Sequence, residues 1–191
     1  MDTDQGVSHA ARVPSTIVLG PTTSLPEDTD RQDGERATLQ WFLDYFRAVL
    51  VRKAEGVTEE QARLAACPPS DMTLLGLVRH MADVERHWFG RALPGVELPS
   101  IYYGDAHPDG DEDGDFHPPP GATVAEALAT HGAEIAAADV TAAGFELDDV
   151  ERAGRQQANL RWIMVHMIEE YARHCGHADL LRQAIDGATG D

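Results

Sequence analysis

The residues best placed to do chemistry lie in one stretch near the C-terminus, His166-Met-Ile-Glu-Glu170-Tyr-Ala-Arg-His174-Cys-Gly-His177. On an α-helix turning about 100° per residue, His166, Glu170, His174 and His177 share a sector of roughly 80°. Ile163, Met164, Met167, Tyr171, Ala178 and Leu181 flank or overlap that sector, so the stripe points into a helical protein rather than into bulk water. Imidazoles and carboxylates are costly to bury unless they are paired or bind a metal. The stripe therefore predicts part of a metal site.

Spacing limits what it can supply. Two groups at i and i+4 converge on one ion, as His166 with Glu170 or Glu170 with His174 can; His174 and His177 are i, i+3. Three ligands from one straight helix are sterically difficult, so a further one has to come from elsewhere. The inward-facing candidates are His80 and His131. Three nitrogen and oxygen ligands with an open fourth position suit a catalytic zinc ion, and nickel, iron or manganese are compatible with the same donors. Cys175 is displaced by about 100° from His174 and falls outside the set. Rival patterns fail: the chain has no Glu-x-x-His of a di-iron bundle, no His-Glu-x-x-His, no Gly-rich phosphate loop and no nucleophile elbow.

The elements that must position these groups read as helices. Leu39, Phe42, Leu43, Phe46 and Leu50 give an apolar stripe over residues 34–53, with Gly56 as a stop. Thr58-Glu-Glu-Gln61 resembles a capping box opening a short helix that Cys67-Pro-Pro-Ser70 ends. Ser70 or Asp71 caps a helix over 71–92, whose core face is Leu74, Leu77, Val78, Met81, Val84 and Trp88, with His80 at its edge and Asp83, Glu85 and His87 as polar neighbours. A long connection over 93–122 carries an acidic run, Asp105–Asp115, which fails the calcium-loop pattern and reads as a solvated acidic loop. An Ala-rich helix over 123–142 turns Val124, Leu128, His131, Ile135 and Ala138 inward, and the last helix spans 155–186. Four substantial helices without strand alternation predict an all-α, four-helix bundle over 34–191, behind a flexible N-terminal tail of 1–33 whose apolar island is Ile17-Val18-Leu19.

Bulk properties exclude other classes. A formal charge of −18 without Lys/Arg clusters argues against nucleic acid as a partner. No apolar run approaches the ~20 residues of a membrane span, and the N-terminus lacks the pattern of a secretory signal. Two cysteines, Cys67 and Cys175, make no disulfide framework, so the expected home is the reducing cytoplasm. A homodimer is compatible with all of this.

Two stretches carry a resemblance. Leu77-Val-Arg-His80-Met-Ala-Asp-Val-Glu85-Arg-His-Trp-Phe89 resembles the second-helix motif of the DinB-like superfamily. Leu160-Arg-Trp-Ile-Met-Val-His166 through Glu170, His174, His177 and Arg182 resembles its last-helix motif. The likeness is greatest to a branch long described as a domain of unknown function, neighbouring the mycothiol-dependent maleylpyruvate isomerases and the bacillithiol and mycothiol S-transferases. It implies a four-helix bundle with one divalent metal, held by a His of the second helix and a pair spaced i, i+4 on the last. Carried onto this chain, the ligands are His80, Glu170 and His174. Many members have His where this chain has Glu170. His131 then becomes core or pocket lining, and His166 and His177 move to the periphery.

The activity so implied is a metal-dependent transferase that activates a low-molecular-weight thiol, mycothiol by resemblance, against an electrophilic small molecule, with His177, His166 or Glu85 as proton carriers. The alternatives are a hydrolase or isomerase on the same site, and a non-catalytic bundle in which the metal has a structural or sensing part.

Overall fold

The computed structural model describes residues 22–27 and 34–190; the Ile17–Leu19 island lies outside them. The described residues are all-helical. The elements are α1 (Glu35–Ala54), the one-turn α2 (Glu59–Ala62), α3 (Leu74–Glu85, continuing as a π-helix over Arg86–Ala92), α4 (Val124–Ala142) and α5 (Leu160–Asp186). In the bundle α1 packs on α5 and α3 on α4, while α3 also touches α1 and α5.

α2, α3, α4 and α5 each begin where a capping side chain satisfies a free backbone N–H. Thr58 and Thr123 form capping boxes with Gln61 and Glu126. Thr73, not Ser70 or Asp71, caps α3 by accepting from the Gly76 N–H, while the Ser70 hydroxyl accepts from Met72 N–H in the turn before it. The last helix starts at Leu160 rather than 155, with Asn159 as its cap. Residues 150–159 are held otherwise. Val150 and Asn159 form an antiparallel bridge, and the Glu151 carboxylate accepts from the N–H groups of Gly154, Gln156 and Gln157. Gln157 takes a left-handed φ of 56°, which breaks a helical path between 155 and 160.

The core is aliphatic, with Leu43, Leu50, Leu74, Leu77, Met81, Leu160, Ile163, Met164 and Met167 almost wholly buried. Phe42, expected in the α1 stripe, is 43% exposed and sits edge-on to Trp41 instead. The buried face of α1 is rotated toward Arg47, Val49 and Lys53. Within the expected tail, residues 22–27 lie against α1: Thr22 and Thr23 donate to the Glu55 carboxylate, and Trp41 Nε1 donates to Glu27 O.

One polar network crosses the core. Arg47 of α1 makes a two-armed ion pair with Glu85 of α3, at 2.7 and 2.8 Å. Tyr171 of α5 donates to Glu85 at 2.7 Å, and His131 of α4 meets the Tyr171 oxygen at 2.8 Å. The Tyr171 proton goes to the carboxylate, so His131 donates through Nε2–H and its Nδ1 is bare. All four long helices contribute one member.

Candidate metal centre

α3 presents His80 and α5 presents Glu170 and His174 on facing sides of the bundle. One side-chain atom from each lies within 4.8 Å of the others. His174 Nε2 is 3.4 Å from a Glu170 oxygen, and the His80 and His174 rings are edge-on with centroids 4.8 Å apart. Of the two inward histidines open as partners of the stripe, the structure brings His80 to it. His131 is engaged in the core network, at 0% exposure.

The orientation of each imidazole is fixed from behind. His80 Nδ1 is 2.8 Å from Asp115 Oδ2, which accepts its proton and leaves Nε2 as the free lone pair. His174 Nδ1 is 3.3 Å from His177 Nδ1, so one nitrogen donates and the other accepts. With His174 Nε2 turned toward Glu170, an Nδ1–H donated to His177 completes a consistent tautomer. His174 is buried, and that burial, reinforced by His80, His177 and Arg173 and opposed by Asp115, lowers its pKa to about 3. The ring is neutral at working pH, the form that can act as a ligand. Two imidazoles and a carboxylate, each imidazole held by its far nitrogen, are a donor set that fits a divalent transition metal.

Asp115 is what the sequence reading missed. It was expected in a solvated acidic loop, yet it is 6% exposed. The connection is tied to α3: the Arg79 guanidinium donates to Asp115 O and Gly114 O, and Asp83 accepts from Ile101 N–H and Tyr102 N–H. Burial raises the Asp83 pKa, with those two bonds acting in the opposite direction. Gly76 allows the approach, because a Cβ there would come within 2.7 Å of Phe116 O. Phe116 stacks on His80 at 4.3 Å. The available signal was that apolar Phe116, directly after Asp115, interrupts an otherwise acidic run.

The other expected residues divide. His177 adjoins His174 as described. His166 stacks on Trp162 at 5.0 Å, lies edge-on to Trp88, and places Nε2 3.8 Å from Glu170. Glu85 is not brought to the site: it is 1% exposed and fully engaged by Arg47 and Tyr171. A carboxylate locked in a buried ion pair has neither the access nor the free lone pairs of a proton carrier, so its place is in the core. A cavity of about 260 Å³ opens beside His80, between Asp83, His87, Trp88, Tyr103, Glu112 and Phe116.

The family model described as Mycothiol-S-transferase matches residues 38–187. The chain belongs to that family, within the DinB-like superfamily. The match covers the whole bundle from α1 to the end of α5, and membership supports a mycothiol-related S-transferase type of function with a small-molecule thiol substrate. No curated protein and no solved structure matches the chain. Among the described residues, no helix is long and apolar enough to cross a membrane.

Proposed function

We propose that this protein is a metal-dependent S-transferase in which His80, Glu170 and His174 hold one divalent ion, zinc first among the candidates. The observation that carries this reading is the convergence of the three donors, with the far nitrogens of both imidazoles already engaged. When bound, such an ion supplies an open position that lowers the pKa of a thiol and keeps it as the thiolate nucleophile. The rest falls to the chain. Asp115 holds His80 in the tautomer with Nε2 bare, and His177 does the same for His174. His166, partly buried beside Glu170 and steadied between Trp88 and Trp162, is placed to take the thiol proton. The cavity beside His80 receives the electrophile, whose carbon forms the new C–S bond while its leaving group departs, or while a C=C bond takes up the proton.

The test is metal analysis of purified wild type beside His80→Ala and His174→Ala, with mycothiol consumption followed against a panel of electrophiles before and after chelation. Stoichiometric metal in wild type, its loss in both variants, and turnover that chelation abolishes are expected. Metal retained in both variants would overturn the ligand assignment. Metal-loaded protein that consumes no thiol would overturn the activity.

A further inference from the structure

A second cavity, of about 210 Å³, lies on the other side of His87, which lines both. His87 is seven residues after His80, about 10 Å along the helix axis and on nearly the same face. The two cavities have opposite chemistry. The one at His80 is walled by Asp83, Glu112, Asp113 and Asp115. The other is lined by Arg91, Arg152 and Arg155. In a chain of 33 acidic and 15 basic side chains, this is a local inversion of charge.

The carboxylates of the second cavity do not cancel that charge. Glu151 is 4% exposed and turned to the N–H groups of its own loop. Glu97 stands 3.6 Å from Arg155, and with both side chains exposed the pair is weak. The Arg152 guanidinium lies over the Phe145 ring at 4.5 Å. That of Arg91 has no hydrogen-bond or ion-pair partner among the described residues. Burial together with Arg91, Arg155 and His166 lowers the pKa of His87, which leaves it a neutral hydrogen-bonding group between the cavities.

The backbone builds this cavity on purpose-shaped contacts. Arg152 N–H donates to Leu93 O and Ala153 N–H to Ala92 O, which fastens the 151–156 loop to the π-helical end of α3. Gly95 has φ of 72°, and a Cβ there would come within 2.9 Å of the Arg152 carbonyl carbon, so the close approach depends on glycine. The loop's Arg152 and Arg155 thereby join Arg91 of the π-helix, a type of segment often found at functional sites.

We propose that the Arg91–Arg155 cavity binds a carboxylate of the electrophilic substrate, while the reactive carbon lies in the acidic cavity at His80. The guanidinium fork matches a carboxylate, and the acidic walls beyond His87 turn that end of the molecule away from the metal ligands. The substrate class is then an electrophile whose carboxylate lies at least about 10 Å from the reactive carbon, because the arginine cavity begins at His87, which is that far from His80 along the helix. This rests on the S-transferase reading, and the experiment separates the two.

Succinate is titrated into the full-length, metal-loaded protein by calorimetry, for wild type, Arg91→Gln/Arg155→Gln and Arg91→Lys/Arg155→Lys. Saturable binding is expected in wild type, about tenfold weaker in the Gln pair, with the Lys pair between. Absent binding, or equal binding in wild type and the Gln pair, would overturn the anion site whatever the activity proves to be. In a second arm, kcat/KM with mycothiol is compared for maleimidohexanoic acid and its methyl ester. A preference for the acid that falls toward unity in the Gln pair supports the electrophile as the source of the anion. Equal rates in wild type would overturn that source, and no turnover of either compound counts against the S-transferase reading while the succinate titration still decides the site.

Discussion

His131 makes a prediction that depends on no metal and no substrate. It is completely buried against Tyr171, and burial with the nearby Arg47 charge pushes its pKa from 6.5 down to about 3. The folded state thus holds the neutral ring, whereas the unfolded chain takes up a proton below pH 6.5. The direction follows: the stability it contributes is complete above pH 6.5 and is lost as pH falls from there toward 3. Between pH 7 and pH 5 the unfolded state gains protonation free energy of about 2 kcal/mol from this one group. That figure barely changes if the folded pKa is one unit higher, because at pH 5 the folded ring is still almost wholly neutral. The variant is His131→Gln, whose side-chain N–H can still donate to Tyr171 but does not titrate. Urea unfolding at both pH values should show wild type losing about 2 kcal/mol more than the variant. The difference cancels every other titrating group, His174 included. Equal losses would refute the assignment of a neutral, trapped His131, and with it the tautomer argument for the Arg47–Glu85–Tyr171–His131 chain.

The remaining predictions concern the same network and the metal ligands. Asp115→Ala should weaken metal binding about 10- to 100-fold, by competition with a chromophoric chelator, and Asp115→Asn by less, because the amide oxygen can still accept from His80 Nδ1–H. Unchanged affinity in Asp115→Ala would show that the carboxylate does not orient His80. Arg47→Met leaves the Glu85 charge buried without its cation, so denaturant unfolding should report a loss of about 3–5 kcal/mol, and adding Glu85→Gln should recover part of it.

Much of the fold was legible because it rests on periodicity. Of the apolar stripe that the spacing gives the last helix, Leu160, Ile163, Met164, Met167, Tyr171, Ala178 and Leu181 are buried in α5, while Ile185 near its end is half-buried. The two capping boxes sit at Thr58 and Thr123, one at the expected Thr58 and the other opening the Ala-rich helix. What escaped was set by contacts distant in sequence. The start of α5 moved from 155 to 160 because Gln157 takes a left-handed φ of 56° in a loop whose N–H groups are held by the Glu151 carboxylate. No local propensity encodes that, since the carboxylate acts as a cap only once the Val150–Asn159 bridge closes the loop. Asp115 was misread for a related reason: in sequence it is one acid among many, and contacts distant in sequence, with Arg79, His80 and Gly76, hold its segment inward.

The candidate site shows the same division between local spacing and contacts distant in sequence. The i, i+4 spacing on α5 left two pairs open, His166 with Glu170 and Glu170 with His174, and the resemblance selected the second as the proposed donors. Spacing alone could not choose between His80 and His131, because both are single inward histidines on apolar faces. The structure separates them by what stands behind each ring. His131 faces a phenol already committed to Glu85, so its environment holds it neutral and gives it no partner to share. His80 has a carboxylate behind it and open space before it, the arrangement that makes an imidazole a better donor. The loop that supplies that carboxylate also supplies Tyr103, Glu112 and Phe116 to the adjoining cavity. Orientation of His80 and the shape of the adjoining cavity are therefore set by one segment, so, on the proposed function, substitutions in the 102–116 connection should alter metal affinity and substrate choice together rather than separately.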